Sequence, residues 1–137
     1  MAQKKLFAIL VSEGVDSLRE LKVLLKGQGM EIWSAQTCAE AARLLEQTHP
    51  ELIFTAPKLS DGTWTDILGM AEGADVPTDV IVVGKCKDTD LYLNTMHRGA
   101  SDFILPPFEV DAMVHIVRVA GEKVRRQREK QAMKAVA

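Results

Sequence analysis

The side chains that could do chemistry lie where the predicted strands end. Ser12 and Glu13 follow the first strand, Lys58 follows the third and Lys85 the fourth. Open α/β sheets bind ligands and place reactive groups at the carboxyl ends of parallel strands. At the tip of the third strand, however, stands Ala56, whose methyl group offers neither a nucleophile nor a metal ligand. Ala56 therefore adds no reactive or metal-binding group to this edge.

Neighbouring side chains do not replace that group. Thr55 and Ser60 lie near Ala56, but a hydroxyl is a poor nucleophile without a base beside it. Thr55 should also point away from Ala56, because side chains alternate along a strand. One carboxylate, Glu13, and a serine hydroxyl are a poor ligand set for Mg²⁺. We therefore expect no catalysis, no cofactor and no metal here.

The lysines that flank this edge allow several interpretations. Lys58 or Lys85 folds toward Glu13 and stands in for a cation, or both lie in solvent, where ion pairs contribute little. They could instead help to form an anion or small-ligand site at the strand ends. Trp64, in the segment that follows, is a candidate to cover the pocket with apolar surface. The sequence leaves these alternatives open.

Apolar and amphipathic segments alternate along the whole chain. The pattern predicts strands at 5–11, 31–34, 52–55, 80–83 and 102–105, and helices at 17–26, from 37, at 63–72, at 88–97 and from 110. Three helix starts have the spacing of a capping box, a hydroxyl followed three residues later by an acid: Ser17, Thr37 and Thr63. Alternating strands and helices with short connections predict an α/β fold, a three-layer α-β-α doubly wound parallel sheet.

Composition fits one soluble globular domain. A chain of 137 residues with 47% hydrophobic and 26% charged residues can bury a real core. No apolar run approaches the roughly 18 residues of a membrane span, so no membrane contact is expected. Cys38 and Cys86 are too few for a disulfide framework, which predicts free thiols in a reducing cytoplasm.

Charge is unevenly distributed. Residues 1–121 hold 11 Lys/Arg and 17 Asp/Glu, whereas residues 122–137 hold six basic and two acidic residues. A basic tail can contact nucleic acid, but interleaved glutamates and the lack of aromatic residues favour a solvated helix. We expect a domain at 1–126 and a polar helical extension at 127–137 that projects from it. We expect no nucleic-acid binding by this domain alone.

Two motifs carry a family resemblance. Pro50–Phe54, followed by Asp61 and Gly62, is a strand with a turn-forming loop, and residues 99–108 read GASDFILPPF. Together they resemble the third strand and the Gly-Ala-Asp-Asp-Tyr to Lys-Pro-Phe signature of receiver domains from bacterial two-component response regulators, over about residues 4–126. The resemblance implies a flavodoxin-like fold, with five parallel strands in the order 2-1-3-4-5 and five helices. It also implies a cis bond between Pro106 and Pro107.

The resemblance identifies which family groups are absent. In family members a kinase histidine passes a phosphoryl group to an aspartate at the tip of strand three. Two acids after strand one hold Mg²⁺ beside it, and a Ser/Thr and a Lys contact the phosphoryl oxygens. The acceptor, the two acids, the hydroxyl and the lysine correspond, in that order, to Ala56, Ser12, Glu13, Gly84 and Pro106. The aromatic switch position is kept as Phe103. The resemblance thus implies a degenerate receiver, a pseudo-receiver that is not an enzyme.

A pseudo-receiver would act through protein contacts. The implied partner is a kinase, an effector domain or a second copy, in a homodimer through helix four, strand five and helix five. That face would present Leu91, Asn94, Arg98, His115 and Arg118. The alternative function is a sensor that binds a small ligand in the strand-tip pocket.

Overall fold

The structure, a computed structural model, describes residues 5–14 and 18–136. The strands are β1 (Phe7–Val11), β2 (Glu31–Ala35), β3 (Leu52–Thr55), β4 (Lys58–Leu59), β5 (Gly62–Thr63), β6 (Asp79–Val83) and β7 (Asp102–Ile104). The helices are α1 (Arg19–Gly27), α2 (Cys38–Thr48), α3 (Trp64–Glu72), α4 (Thr89–Arg98) and α5 (Val110–Val136).

Five of the strands form one parallel sheet in the order β2-β1-β3-β6-β7. Because β6 and β7 are the fourth and fifth strands of this sheet, the order is the predicted 2-1-3-4-5. The short strands β4 and β5 form a separate antiparallel hairpin in which Lys58 pairs with Thr63. This hairpin lies in the segment that the sequence pattern assigned to a loop.

Helices cover both faces of the sheet, which confirms the three-layer prediction. Successive strand residues face opposite sides: Ile9 and Val11 pack with α2 and α3, whereas Ala8 and Leu10 pack with α1 and α5. The sheet therefore separates two hydrophobic cores, and the loops at its carboxyl end remain between them.

Two of the three predicted helix caps are present. The side chain of Thr63 accepts from the first turn of α3 while its backbone N–H donates to Asp66 Oδ2 at 2.9 Å, which completes a capping box. The hydroxyl of Thr37 accepts from the Glu40 backbone N–H at 3.1 Å. The third, at Ser17, lies outside the described residues.

The last helix does not project from the globule at residue 127 as expected. Arg128 and Gln131 donate hydrogen bonds to backbone carbonyl groups at the amino end of the sheet. They lie four and seven positions after the fully buried Val124, and therefore share its helix face. Polar composition indicated solvent, whereas the surface that these residues meet is itself polar.

The cysteines and one proline bond also agree with the sequence predictions. Both cysteines are free, and Cys38 is buried whereas Cys86 is exposed. The bond between Pro106 and Pro107 is cis. Within the described ranges, no helix is long and apolar enough to cross a bilayer.

Candidate functional site

A cavity of ≈ 690 Å³ opens at the carboxyl ends of the sheet strands. The five residues that the resemblance assigns to the family's phosphorylation positions all line it: Ser12, Glu13, Ala56, Gly84 and Pro106. Lys58 and Lys85 line it too, as the strand order requires of residues that follow β3 and β6. The structure thus brings together seven residues that lie up to 94 positions apart in the chain.

Ala56 is held at the tip of β3 by its backbone. Its N–H donates to the carbonyl of Val11 at 2.9 Å, which extends the pairing of β1 with β3 by one residue. Thr55, just before it, is fully buried, and its hydroxyl donates to the Ala56 carbonyl at 2.9 Å. Thr55 does not line the cavity, so its hydroxyl cannot serve as a nucleophile there.

The charged side chains at the cavity mouth are not paired with one another. Glu13, Lys58 and Lys85 are exposed, and among the described residues no ion pair joins Glu13 to either lysine. The arrangement in which a lysine folds toward Glu13 as a substitute cation is therefore not the one observed. Residues 5–14 and 18–136 also hold no cluster of three or more His, Cys, Asp or Glu side chains that could bind a metal ion.

Aromatic packing leaves no room for a side chain at Gly84. Gly84 is buried after β6, and its N–H donates to the Ile104 carbonyl at 2.9 Å. A Cβ at this position would lie 2.7 Å from Phe103 Cζ and 2.8 Å from Leu105 Cδ2. Phe103 is only 9% exposed, and its ring meets Tyr92 edge-on with 5.9 Å between centroids. The Phe103 ring is thus packed inward against Gly84.

Trp64 does not cover the cavity, so that prediction is wrong. Trp64 begins α3 and is buried in the core against α2, and it is absent from the cavity lining. The reason is helical spacing, because Trp64 shares the buried stripe of α3 with Ile67, Leu68 and Ala71. Apolar lining comes instead from Leu18 and Phe108.

Asp61 fastens the loop beside the cavity to the start of α2. Its Oδ1 accepts from the Cys38 N–H at 2.8 Å and its Oδ2 from the Ala39 N–H at 3.0 Å. These two backbone donors lower the pKa of the Asp61 carboxyl. Burial, together with the Asp61 carboxylate, raises the pKa of the Cys38 thiol to about 11. The sequence offered Asp61 only as part of a motif, without its partner helix.

The predicted interface residues are only partly on one surface. Asn94, Arg98, His115 and Arg118 are exposed on α4 and α5, as expected. Leu91, in contrast, packs against the hydrophobic core beside α2 and α3, because it lies one turn before the fully buried Thr95.

Three apolar residues of α4 that the sequence reasoning missed face outward instead. Tyr92, Leu93 and Met96 are 44%, 56% and 39% exposed. The missing signal was the phase of α4: once Leu91 and Thr95 are assigned to the core, their neighbours must face solvent. This outward apolar strip of α4, residues 92, 93 and 96, lies on the same helix as Asn94 and Arg98.

Sequence comparison matches the chain to known signalling proteins. The profile of the response regulator receiver domain matches residues 8–118. The transcriptional regulatory protein KdpE of Mycobacterium tuberculosis is 26% identical over 112 residues, which are 82% of this chain and 49% of KdpE. The cell cycle transcriptional regulator CtrA of Caulobacter vibrioides is 22% identical over 106 residues, 77% of this chain and 46% of CtrA. The chain thus spans about half the length of these curated relatives.

Solved structures show the same fold. A response regulator receiver domain protein from Clostridium thermocellum superposes with a TM-score of 0.75 at 19% identity, covering 86% of this chain and 95% of that one. NtrX from Brucella abortus gives a TM-score of 0.80 at 20% identity, covering 95% of this chain and 30% of NtrX. With the sheet order and the profile match over residues 8–118 in agreement, the chain belongs to the response regulator receiver domain family.

Proposed function

We propose that this receiver domain is a phosphorylation-independent protein-interaction module of two-component or phosphorelay signalling, with no enzymatic activity. The observation that carries the proposal is that Ala56 lines the cavity. The family resemblance assigns the phospho-acceptor to this position. A methyl group cannot attack phosphorus or carry a phosphoryl group. The domain is therefore a pseudo-receiver. We place its action in the cytoplasm as part of the same proposal.

The other substitutions in the cavity support the same conclusion. Phosphoryl transfer needs oxygen ligands for Mg²⁺ and fixed positive charge around the transferred group. Ser12 removes one carboxylate, Gly84 removes the hydroxyl and Pro106 removes the lysine. Loss of four separate functions around one cavity is better explained by a domain kept for its surfaces than by the loss of one residue.

Inward packing of Phe103 supports a domain held in one conformation. Its ring fills the space beside Gly84 and contacts Tyr92. Because Gly84 carries no hydroxyl, no phosphate-dependent movement of a hydroxyl at this position can move the Phe103 ring. A partner could still shift the conformation, but only by as much as its affinity for the two states differs.

The proposed partner is a kinase, an effector domain or a second copy, bound through α4, β7 and α5. The apolar strip at residues 92, 93 and 96 shares α4 with the exposed Asn94 and Arg98, and His115 Nδ1 lies 3.5 Å from Arg118 Nη2 on α5. Exposed aromatic, Met and Arg side chains are enriched at protein interfaces. Nucleic-acid binding by these residues alone is not part of the proposal.

Incubation with acetyl phosphate and Mg²⁺, followed by intact mass spectrometry, tests the proposal. We expect no added phosphoryl group on the wild-type chain, under conditions that label an aspartate-containing receiver. Ala56→Asp is the matched variant: it restores the nucleophile without its supporting groups, and we expect slow or no labelling. An acid-stable or acyl phosphate on the wild-type chain would overturn the proposal.

A second candidate function is a small-ligand sensor, favoured by the ≈ 690 Å³ cavity and by the two lysines at its mouth. A volume of this size lies in the range of small-molecule sites. A thermal-shift screen with nucleotides and anionic metabolites discriminates, because a ligand that binds only the folded state raises the melting temperature. The shift should disappear in Lys58→Ala/Lys85→Ala, and a screen without any shift counts against the sensor.

A further inference from the structure

The guanidinium of Arg128 is bound by four groups at the amino end of the sheet, opposite the cavity. Its Nε donates to the Pro77 carbonyl at 2.8 Å, and its Nη2 donates to the carbonyls of His49 and Pro50 at 3.0 and 2.6 Å. Nη1 lies 3.7 Å from Glu51 Oε2. The side chain is 24% exposed. A single residue of α5 thus contacts the ends of two loops that lead into β3 and β6.

The acceptor groups are held in place by the domain itself. His49, the residue that caps the end of α2, has the left-handed conformation, with φ 49°. Glu51 is buried, and its Oε1 accepts from the Phe7 N–H at 2.9 Å, which ties it to the start of β1. Burial lowers the pKa of Arg128, and Glu51 opposes this effect. The pocket therefore offers preformed acceptors that match a planar guanidinium.

Two further side chains of α5 reach the same edge of the sheet. Gln131 Nε2 donates to the Asp75 carbonyl at 2.7 Å, and Lys123 Nζ lies 3.4 Å from Asp79 Oδ2. Between Val124 and Lys134, by contrast, no apolar side chain of the described chain is buried. The part of α5 after Val124 is consequently held to the domain by polar contacts, and Arg128 makes most of those described above.

We propose that Arg128 is a latch that holds residues 126–131 of α5 against the sheet, so that the helix continues rigidly from the domain. An unsupported helix end frays, because isolated helical turns are marginal in water. Three of the four groups that bind Arg128 are neutral carbonyls, so the latch should resist salt, unlike an exposed ion pair. The latch lies at the opposite end of the sheet from the cavity and does not depend on the proposed function.

Hydrogen–deuterium exchange of the full chain tests the latch. We expect Arg128→Ala to raise the exchange rate of amides 126–131 about tenfold or more, since three hydrogen bonds from a charged group, two of them part-buried, are lost. Arg128→Lys should raise it as well, because one ammonium lacks the fork that reaches three carbonyls. Arg126→Ala is the matched control: it removes the same charge from an exposed position two residues away, and should change exchange less than about twofold.

Equal exchange in Arg128→Ala and Arg126→Ala would overturn the proposal. If Arg128→Ala does not fold, Gln131→Ala provides the second measurement, and it should raise exchange at the same amides. Wild-type protection that disappears at high salt would also overturn it, because the Glu51 ion pair would then be the main contact. Circular dichroism on every variant separates local loosening from loss of the fold.

Discussion

Phe103 occupies the space into which any side chain at position 84 would have to grow, since its Cζ lies 2.7 Å from the Cβ that Gly84 lacks. Leu105 limits the same space from another side, at 2.8 Å. Tyr92 holds the Phe103 ring through an edge contact at an interplanar angle of 78°. Glycine at 84 and an inward aromatic ring at 103 are therefore one packing solution.

Restoring the family's hydroxyl should consequently destabilise the protein. Gly84→Thr is expected to lower the free energy of unfolding by about 1–3 kcal/mol, the usual effect of overpacking a core. Urea denaturation measures it. Gly84→Ala should share most of the loss, because the Cβ alone meets the ring.

The same pair can be examined by a double-mutant cycle. In Gly84→Ala/Phe103→Leu the smaller side chain leaves room, so the loss should be less than the sum of the two single losses. Additive losses would mean that Phe103 is not the side chain that limits position 84. A neutral Gly84→Ala would mean that the ring moves aside without cost. Either result would show that the ring does not hold the domain in one state.

The alternation of strands and helices was predictable from periodicity, whereas the strand order came from the family resemblance. Alternation along β1 and the 3.6-residue stripe of α3 both depend on local spacing, which the sequence displays. That Ser12, Ala56 and Gly84 line one cavity follows from their places after neighbouring strands. Arg128 and Asp61 could not be found this way, because their partners are backbone groups brought close only by tertiary structure. Trp64 was misplaced because its helix phase was ignored.

Loss of the Asp61 carboxylate should weaken the contact between the loop and α2. Asp61→Ala removes the acceptors of the Cys38 and Ala39 N–H groups, so the melting temperature should fall at neutral pH. Because folding lowers the pKa of Asp61, its stabilisation exists above the ordinary carboxyl pKa and is lost as pH falls through the folded value. The difference from wild type should therefore close in acid.

Thermal melts between neutral and acidic pH measure this effect. Asp90→Ala, at an exposed acid in the first turn of α4, is the control, and should produce a smaller and less pH-dependent change. A difference between Asp61→Ala and wild type that persists unchanged in acid would show that packing, and not the carboxylate, is responsible.

The buried thiol of Cys38 should make stability depend on alkaline pH. Its pKa is raised from 9.0 to about 11, so above pH 9 the unfolded chain releases the proton while the folded chain keeps it. Stability is therefore lost between about pH 9 and 11, by roughly 2–3 kcal/mol at most. Cys38→Ala lacks this loss, and its deficit relative to wild type should shrink over that range.

Chemical denaturation at matched pH values gives the difference directly, because other titrating groups cancel between the two proteins. Cys86→Ala removes the exposed thiol and should track wild type throughout. A constant difference between Cys38→Ala and wild type from neutral to alkaline pH would contradict the raised pKa.

The apolar strip of α4 should be the point at which self-association is most sensitive to charge. Leu93 is 56% exposed between Tyr92 and Met96, so Leu93→Glu places a carboxylate in the centre of the proposed interface. Burying that charge in a dimer would be unfavourable, so sedimentation velocity should show weaker association. The melting temperature of the monomer should change little, as for most exposed positions.

Val23→Glu, on α1 and 65% exposed, is the matched control and should associate as wild type does. Weaker association in Val23→Glu alone would move the interface to α1, whereas a wild-type chain that stays monomeric would exclude a second copy as the partner.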